Sequence, residues 1–188
     1  MFNLKNKTMK KLLMMVAVAT AMFACGQQKT DAVKTDAAET DSLGGTMTGL
    51  DEKSKAVEAQ TQAYIDQDTA YAGDAIDENI RIYYPNDTIV DVKGKQAFLA
   101  DFKGQYKNWK NVKFDRLRVI TLKLNNGEVW TNLWGVMIAK GSFTGKDILI
   151  PIHRAVMWQN DKVVRDIHLY DTKLIMEELA ARDAAEKK

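Results

Sequence analysis

Apolar residues recur in more than one rhythm along this 188-residue chain. From Asp51 to Ile76 the rhythm is helical: Val57, Tyr64, Tyr71 and Ala75 are spaced by sevens and a four, which sets them on one face. Asp68 is placed to cap a second helix after a break in that run. Residues 79–85, "NIRIYYP", form a short strand ended by Pro85 and the Asn86-Asp87 turn. "TIVDVKG" is a second strand, and Gly94 leads into a helix, "KQAFLADFKGQYKNW". Beyond Asn111 the spacing predicts a four-stranded meander over 112–124, 128–140, 146–158 and 162–170. Its turns are Asn126-Gly127, Gly141 to Gly145 and Asn160-Asp161, pairs that tolerate the positive φ of tight hairpins. The last segment, "TKLIMEELAARDAAEKK", is an amphipathic helix capped by Asp171 or Thr172. No internal repeat is present.

The N-terminal pattern is different again. Lys5, Lys7, Lys10 and Lys11 precede the uncharged run "LLMMVAVATAMFAC". A basic start and a short apolar run read as an export signal, and the run is shorter than the roughly 20 apolar residues of a membrane span. Cys25, the single cysteine, stands where cleavage would fall, between Ala24 and Gly26. This resembles the lipobox of bacterial lipoproteins, which implies that residues 1–24 are removed and that Cys25 carries acyl chains. Residues 25–50 lack aromatics and are rich in Thr, Ala, Asp and Gly, so they are expected to be a flexible lipidated tether. Residues 51–188 are the folded domain. The expected location is the bacterial cell envelope, anchored to a membrane and facing the periplasm or the exterior.

The leader also changes the charge. The chain carries +2, but four of its 27 basic residues and none of its 25 acidic ones lie in residues 1–24. From Cys25 onward 23 basic residues face 25 acidic ones, a formal −2. No basic field favours nucleic acid. One cysteine leaves no intramolecular disulfide, so the core must supply the stability.

Two helices, two strands, a helix and a long meander describe an α+β fold, with helices gathered on one face of a curved antiparallel sheet. The stretches "DENIRIYYP", "VKGKQAF" and "NDKVVRDIHLYD" resemble the nuclear-transport-factor-2-like fold, in particular its SnoaL-like branch, over roughly 52–171. Asp161-Lys162 stands where that pattern has a glycine. The resemblance implies a cone-like half-barrel roofed by N-terminal helices. It admits ketosteroid isomerases, dehydratases and non-catalytic domains alike.

Strand parity sorts the sheet residues. With Asn160-Asp161 as a two-residue turn, His153 falls opposite His168 and Ala155 opposite Asp166. Carried to the earlier strands, the same register gathers Val119, Trp130, Asn132, Trp134, His153, Asp166, His168 and Tyr170 on one face, expected to be the concave one. Arg116, Arg118, Arg154 and Arg165 fall on the other, among Leu133, Ile150, Ile152, Val156 and Trp158. That mixture of arginine and apolar residues predicts a homodimer through the outer sheet face.

The expected ligand is a small apolar or aromatic molecule, with Trp130, Asn132, Trp134, His153, Asp166, His168, Tyr170 and Tyr71 at the wall. The catalytic alternative uses His153 and His168 as base or acid with Asp166 orienting and Tyr64, Tyr71 or Tyr83 donating a hydroxyl. It would be a cofactor-independent isomerase or lyase. An inert interaction module is a third reading. Zinc held by His153, His168 and Asp166 is weaker than a short-spaced ligand motif, so no metal is expected. "GSFTGK" (141–146) echoes a phosphate loop but has three residues between its glycines instead of four and lies in a hairpin. "NDT" (86–88) matches a glycosylation acceptor, a reading that rarely applies to a bacterial exported protein. No cofactor fingerprint occurs.

Overall fold

The computed structural model describes residues 41–85 and 92–187, apart from the side chains of Tyr71 and Ala72. The expected leader 1–24, Cys25 and the first part of the tether lie outside the described residues, as does most of "TIVDVKG".

The strands are β1 (Gly45–Thr48), β2 (Ile76–Tyr83), β3 (Val92–Lys93), β4 (Trp109–Leu124), β5 (Val129–Gly141), β6 (Asp147–Gln159) and β7 (Lys162–Tyr170). The helices are α1 (Glu52–Asp66), α2 (Thr69–Gly73), α3 (Lys95–Gln105) and α4 (Lys173–Glu186). One sheet holds the strands in the order β1-β4-β5-β6-β7-β2-β3. All neighbours are antiparallel except β2 and β7, which run parallel. The sheet is therefore mixed, not wholly antiparallel, because β2 joins the far edge only after the whole meander returns beside it.

The tether ends earlier than its composition suggests. Gly45–Thr48 pairs with Leu124–Thr121 as an edge strand. Gly45 serves close approach here: a Cβ at this position would collide with the Lys123 carbonyl. Asp51 then caps α1, accepting the Ser54 N–H at 2.8 Å. Ser54 Oγ reaches Thr121 Oγ1 at 2.9 Å, Thr121 reaches Thr131 at 2.9 Å, and Trp158 Nε1–H donates to Thr131 at 2.9 Å. This buried ladder of hydroxyls ties α1 across β4, β5 and β6 with every polar atom partnered.

The helices cover one sheet face. Val57 of α1 and Phe98 and Phe102 of α3 join Ile80, Ile82, Leu133, Val156 and Trp158 in the main core. A second cluster of Trp109, Met137, Ala139, Ile148 and Ile150 meets Leu174 and Ile175 of α4. Leu133, Ile150, Ile152, Val156 and Trp158 thus belong to the inner face, not to an outer interface.

Two single-residue shifts cause that inversion. The β4–β5 loop closes through Leu124 and Glu128, with Gly127 at φ 89°. It is a three-residue hairpin with glycine in the left-handed position, so Val119 pairs with Leu133 and faces inward instead of lying beside Trp134. In β6–β7, Asn160 and Asp161 do form a tight turn with φ 48° and 58°, and Gln159 does pair with Lys162. The pairing then slips: Trp158 faces Val163, but Met157 faces Arg165. Val164 is the extra residue of a β-bulge. Beyond it Asp166 faces Val156 and His168 faces Arg154, so His153 lies opposite Leu169. A slip of one residue moves every following side chain to the other face.

Candidate functional site

The inner face of β5, β6 and β7, with α1, α3 and α4 over it, encloses a cavity of about 630 Å³. Its wall is chiefly apolar: Phe98, Phe102, Trp109, Phe114, Leu133, Met137, Ile150 and Ile152, closed by Ile175, Met176 and Leu179 of α4.

Two polar clusters interrupt that wall. In the first, Arg154 of β6 holds Asp166 of β7 with Nε at 2.9 Å from Oδ1 and Nη2 at 2.6 Å from Oδ2. Gln60 of α1 accepts a further bond from Arg154 Nη2 at 2.5 Å. His168 Nε2 lies 3.1 Å from Asp166 Oδ1. Asp166 is fully buried. Burial pushes its carboxyl up, but the Arg154 guanidinium and His168 outweigh that and hold it far below the usual carboxylate range. Asp166 is therefore a charged acceptor and not a proton carrier. A carboxylate accepting at Nε2 selects, for a neutral imidazole, the tautomer with its proton there, and that tautomer has its lone pair on Nδ1.

The second cluster joins the end of β2 to α3. Tyr84 donates its hydroxyl to Asp101 Oδ2 at 2.5 Å, and Gln105 Nε2 reaches the same oxygen at 2.8 Å. Tyr64 of α1 donates to Gln105 Oε1 at 3.3 Å. Burial first, then the neighbouring carboxylate, pushes the Tyr84 hydroxyl far above its ordinary value, and burial does the same to Tyr64. Both stay protonated donors. The Tyr84 ring meets the His168 ring at 5.1 Å, which joins the clusters into one polar arc.

Of the residues expected at the wall, His153, Asp166, His168 and Tyr170 line the cavity. Trp130, Asn132 and Trp134 do not: they stand on the opposite, outer face. The bulge reunites the wrong partners for the paired-histidine idea. His153 lies opposite Leu169 and not His168; its ring stacks on Trp134 at 4.9 Å and 4°, and Nε2 meets Asn132 Oδ1 at 2.9 Å. Burial lowers the His153 pKa, so it is neutral at neutral pH. The same inversion separates the arginines: Arg165 lies over Trp130 outside, while Arg154 is inside. Tyr71 has no described side chain. Among the described residues no three His, Cys, Asp or Glu side chains come together to hold a metal, so the zinc set of His153, His168 and Asp166 is dissolved.

Four site residues escape the sequence reading: Gln60, Tyr84, Asp101 and Gln105. The signal for Tyr84 is the alternation Ile80, Ile82, Tyr84, which assigns Tyr83 to the other face. Phe98, Asp101, Phe102 and Gln105 recur at threes and fours on one side of α3. Nothing in the sequence marks Gln60.

This architecture decides the comparison with solved structures. The domain has the nuclear-transport-factor-2-like fold. A protein from Shewanella putrefaciens named as a SnoaL-like polyketide cyclase aligns with a TM-score of 0.54 at 12% identity, over 70% of this chain and 87% of its own. A Bacillus subtilis protein named as an isomerase aligns at 0.54 and 14%, over 68% and 91%. A ketosteroid-isomerase-like protein from Catenulispora acidiphila, solved with trimethylamine, aligns at 0.52 and 9%, over 62% and 85%. No family model and no curated protein matches the chain. At such identities the nuclear-transport-factor-2-like domain shares a fold with these proteins, and its chemistry rests on its own side chains.

Proposed function

We propose that the protein is an exported lipoprotein, anchored by acyl chains on Cys25, whose nuclear-transport-factor-2-like domain holds a small apolar or aromatic molecule. The observation that carries the binding reading is the cavity of about 630 Å³ with an apolar wall and one polar arc. Such a volume suits a molecule of drug size, and convergent polar groups orient it. Tyr84 and Tyr64 have given their single protons to Asp101 and Gln105, so their oxygens, with His168 Nδ1, offer acceptors, and a ligand with a hydroxyl or amine donor at one end fits best. The anchor reading is supported by the position of Cys25 directly after the apolar leader.

A second reading has an observation of its own. The Asp166–His168 contact of 3.1 Å orients an imidazole as a general base in the cavity. That arrangement suits a cofactor-independent isomerase or lyase that takes a proton next to a carbonyl.

Titration with N-phenyl-1-naphthylamine, a neutral fluorophore, tests binding: saturable uptake is expected, and none at all sinks the cavity reading. His168→Gln separates the two readings. A binding protein keeps its uptake, and an enzyme loses turnover of carbonyl substrates while uptake persists. His153→Gln changes neither. Cys25→Ser releases the protein from the membrane fraction, and unchanged fractionation removes the anchor.

A further inference from the structure

The turn that echoes a phosphate loop does bind an anion. The anion is the protein's own. Glu178 of α4 is fully buried. Its Oε1 accepts the Phe143 N–H at 2.6 Å, and its Oε2 accepts the Thr144 N–H at 3.0 Å and the Thr144 hydroxyl at 2.5 Å. Burial raises the carboxyl, but these donors and the Ser142 backbone prevail and hold it below the usual range. Successive N–H groups converging on one carboxylate form an anion nest. Gly141 leaves the room: a Cβ there would collide with the Glu178 carboxylate and Thr144 Oγ1.

The rest of α4 is held lightly. It starts just after β7, where Asp171 accepts the Lys173 N–H at 2.9 Å, and Leu174 and Ile175 pack on the second core cluster. Further along, Lys146–Glu177 and Lys107–Glu186 are ion pairs between largely exposed side chains. Such pairs contribute little. The Arg182 contact to Asn108 is long, at 3.4 Å. Yet this same stretch supplies Met176, Leu179 and Arg182 to the cavity wall.

We propose that α4 is a lid hinged at Asp171–Thr172, and that Glu178 seated in the Ser142–Thr144 turn is its latch. A buried carboxylate holds all its donors or must regain water, which makes the lid two-state, shut or lifted. Lifting it opens the cavity along its α4 wall, so the latch sets how fast a ligand enters and leaves. That last step rests on the cavity reading; the latch does not.

Hydrogen exchange on the full chain tests the latch without any ligand. Glu178→Ala removes it, and Thr144→Val trims one bond if the first variant folds poorly. Exchange of the amides of 176–186 and 142–145 should quicken by roughly 10- to 100-fold for loss of a hydrogen bond to a charged group. The amides of β6 and β7 should stay as in the wild type. Unchanged α4 exchange, or equal quickening across β4–β7, overturns the proposal. Stopped-flow mixing with N-phenyl-1-naphthylamine should show entry and release accelerated by a similar factor. Localised exchange with unaltered probe rates overturns the lid. A wild-type protein that takes up no probe refutes the cavity reading instead, and exchange still decides the latch.

Discussion

Asp166 shows how one buried charge organises the candidate site. It is partnered on one side by a forked guanidinium and on the other by an imidazole, so its desolvation is compensated only while both remain. Asp166→Asn leaves Arg154 buried without its counter-charge. The expected cost is about 3–5 kcal/mol, the range for breaking one side of a buried pair, read as a lower urea midpoint. The pH dependence follows from the depressed carboxyl. The native state favours the charged form, so the contribution is complete above the ordinary Asp range near 3.9 and is lost as pH falls below it. Wild-type protein should lose stability below about pH 4 more steeply than Asp166→Asn. Parallel pH profiles for the two proteins would contradict this account.

Among the elements, the edge strand and the final hairpin carry the lessons. Gly44-Gly45 in a polar segment looks like a disordered linker, yet Gly45 lets β1 lie against the Lys123 backbone. Gly45→Val should detach β1 from β4. The Asn125 amide, whose N–H is given to the Gly44 carbonyl, would then exchange faster, with a stability loss of about 1–3 kcal/mol, the usual range of overpacking. Retained protection there would show that β1 tolerates a side chain. In the final hairpin the turn residues, the strand bounds and the Gln159–Lys162 pairing were all legible, because Asn-Asp chemistry and period-two alternation are local. The Val164 bulge was not. No residue type announces it, since the extra residue is accommodated by the twist of the neighbouring strands. Asp166 and His168 therefore appeared on the correct strand and on the wrong side of it relative to His153.

For the whole molecule, the sorting of faces bears on assembly. The outer face carries Trp134, 40% exposed and stacked on His153, with Leu149 and Leu169 exposed at 63% and 53%. Apolar surface of this kind is the composition of an interface, and it stands as the proposed homodimer face in place of the residues that parity first assigned. Sedimentation should find the wild-type protein dimeric and Trp134→Glu monomeric at the same concentration, with the cavity probe still bound. A wild-type monomer at high micromolar concentration removes this interface.

Local chemistry alone, read from the chain, yields the helix run from Asp51, the meander, the turns, the α+β class and Cys25 at the end of an apolar leader. Each depends on neighbours a few positions away: period, cap, or turn residue. Which histidine faces the cavity depends on long-range pairing, where one bulge and one extra loop residue reverse the outcome. The partnership of Gln60 with Arg154, of Tyr84 with Asp101 and of Glu178 with the Ser142–Thr144 turn joins residues distant in sequence. Those contacts exist because buried charges and hydroxyls must find partners wherever the packed helices bring them.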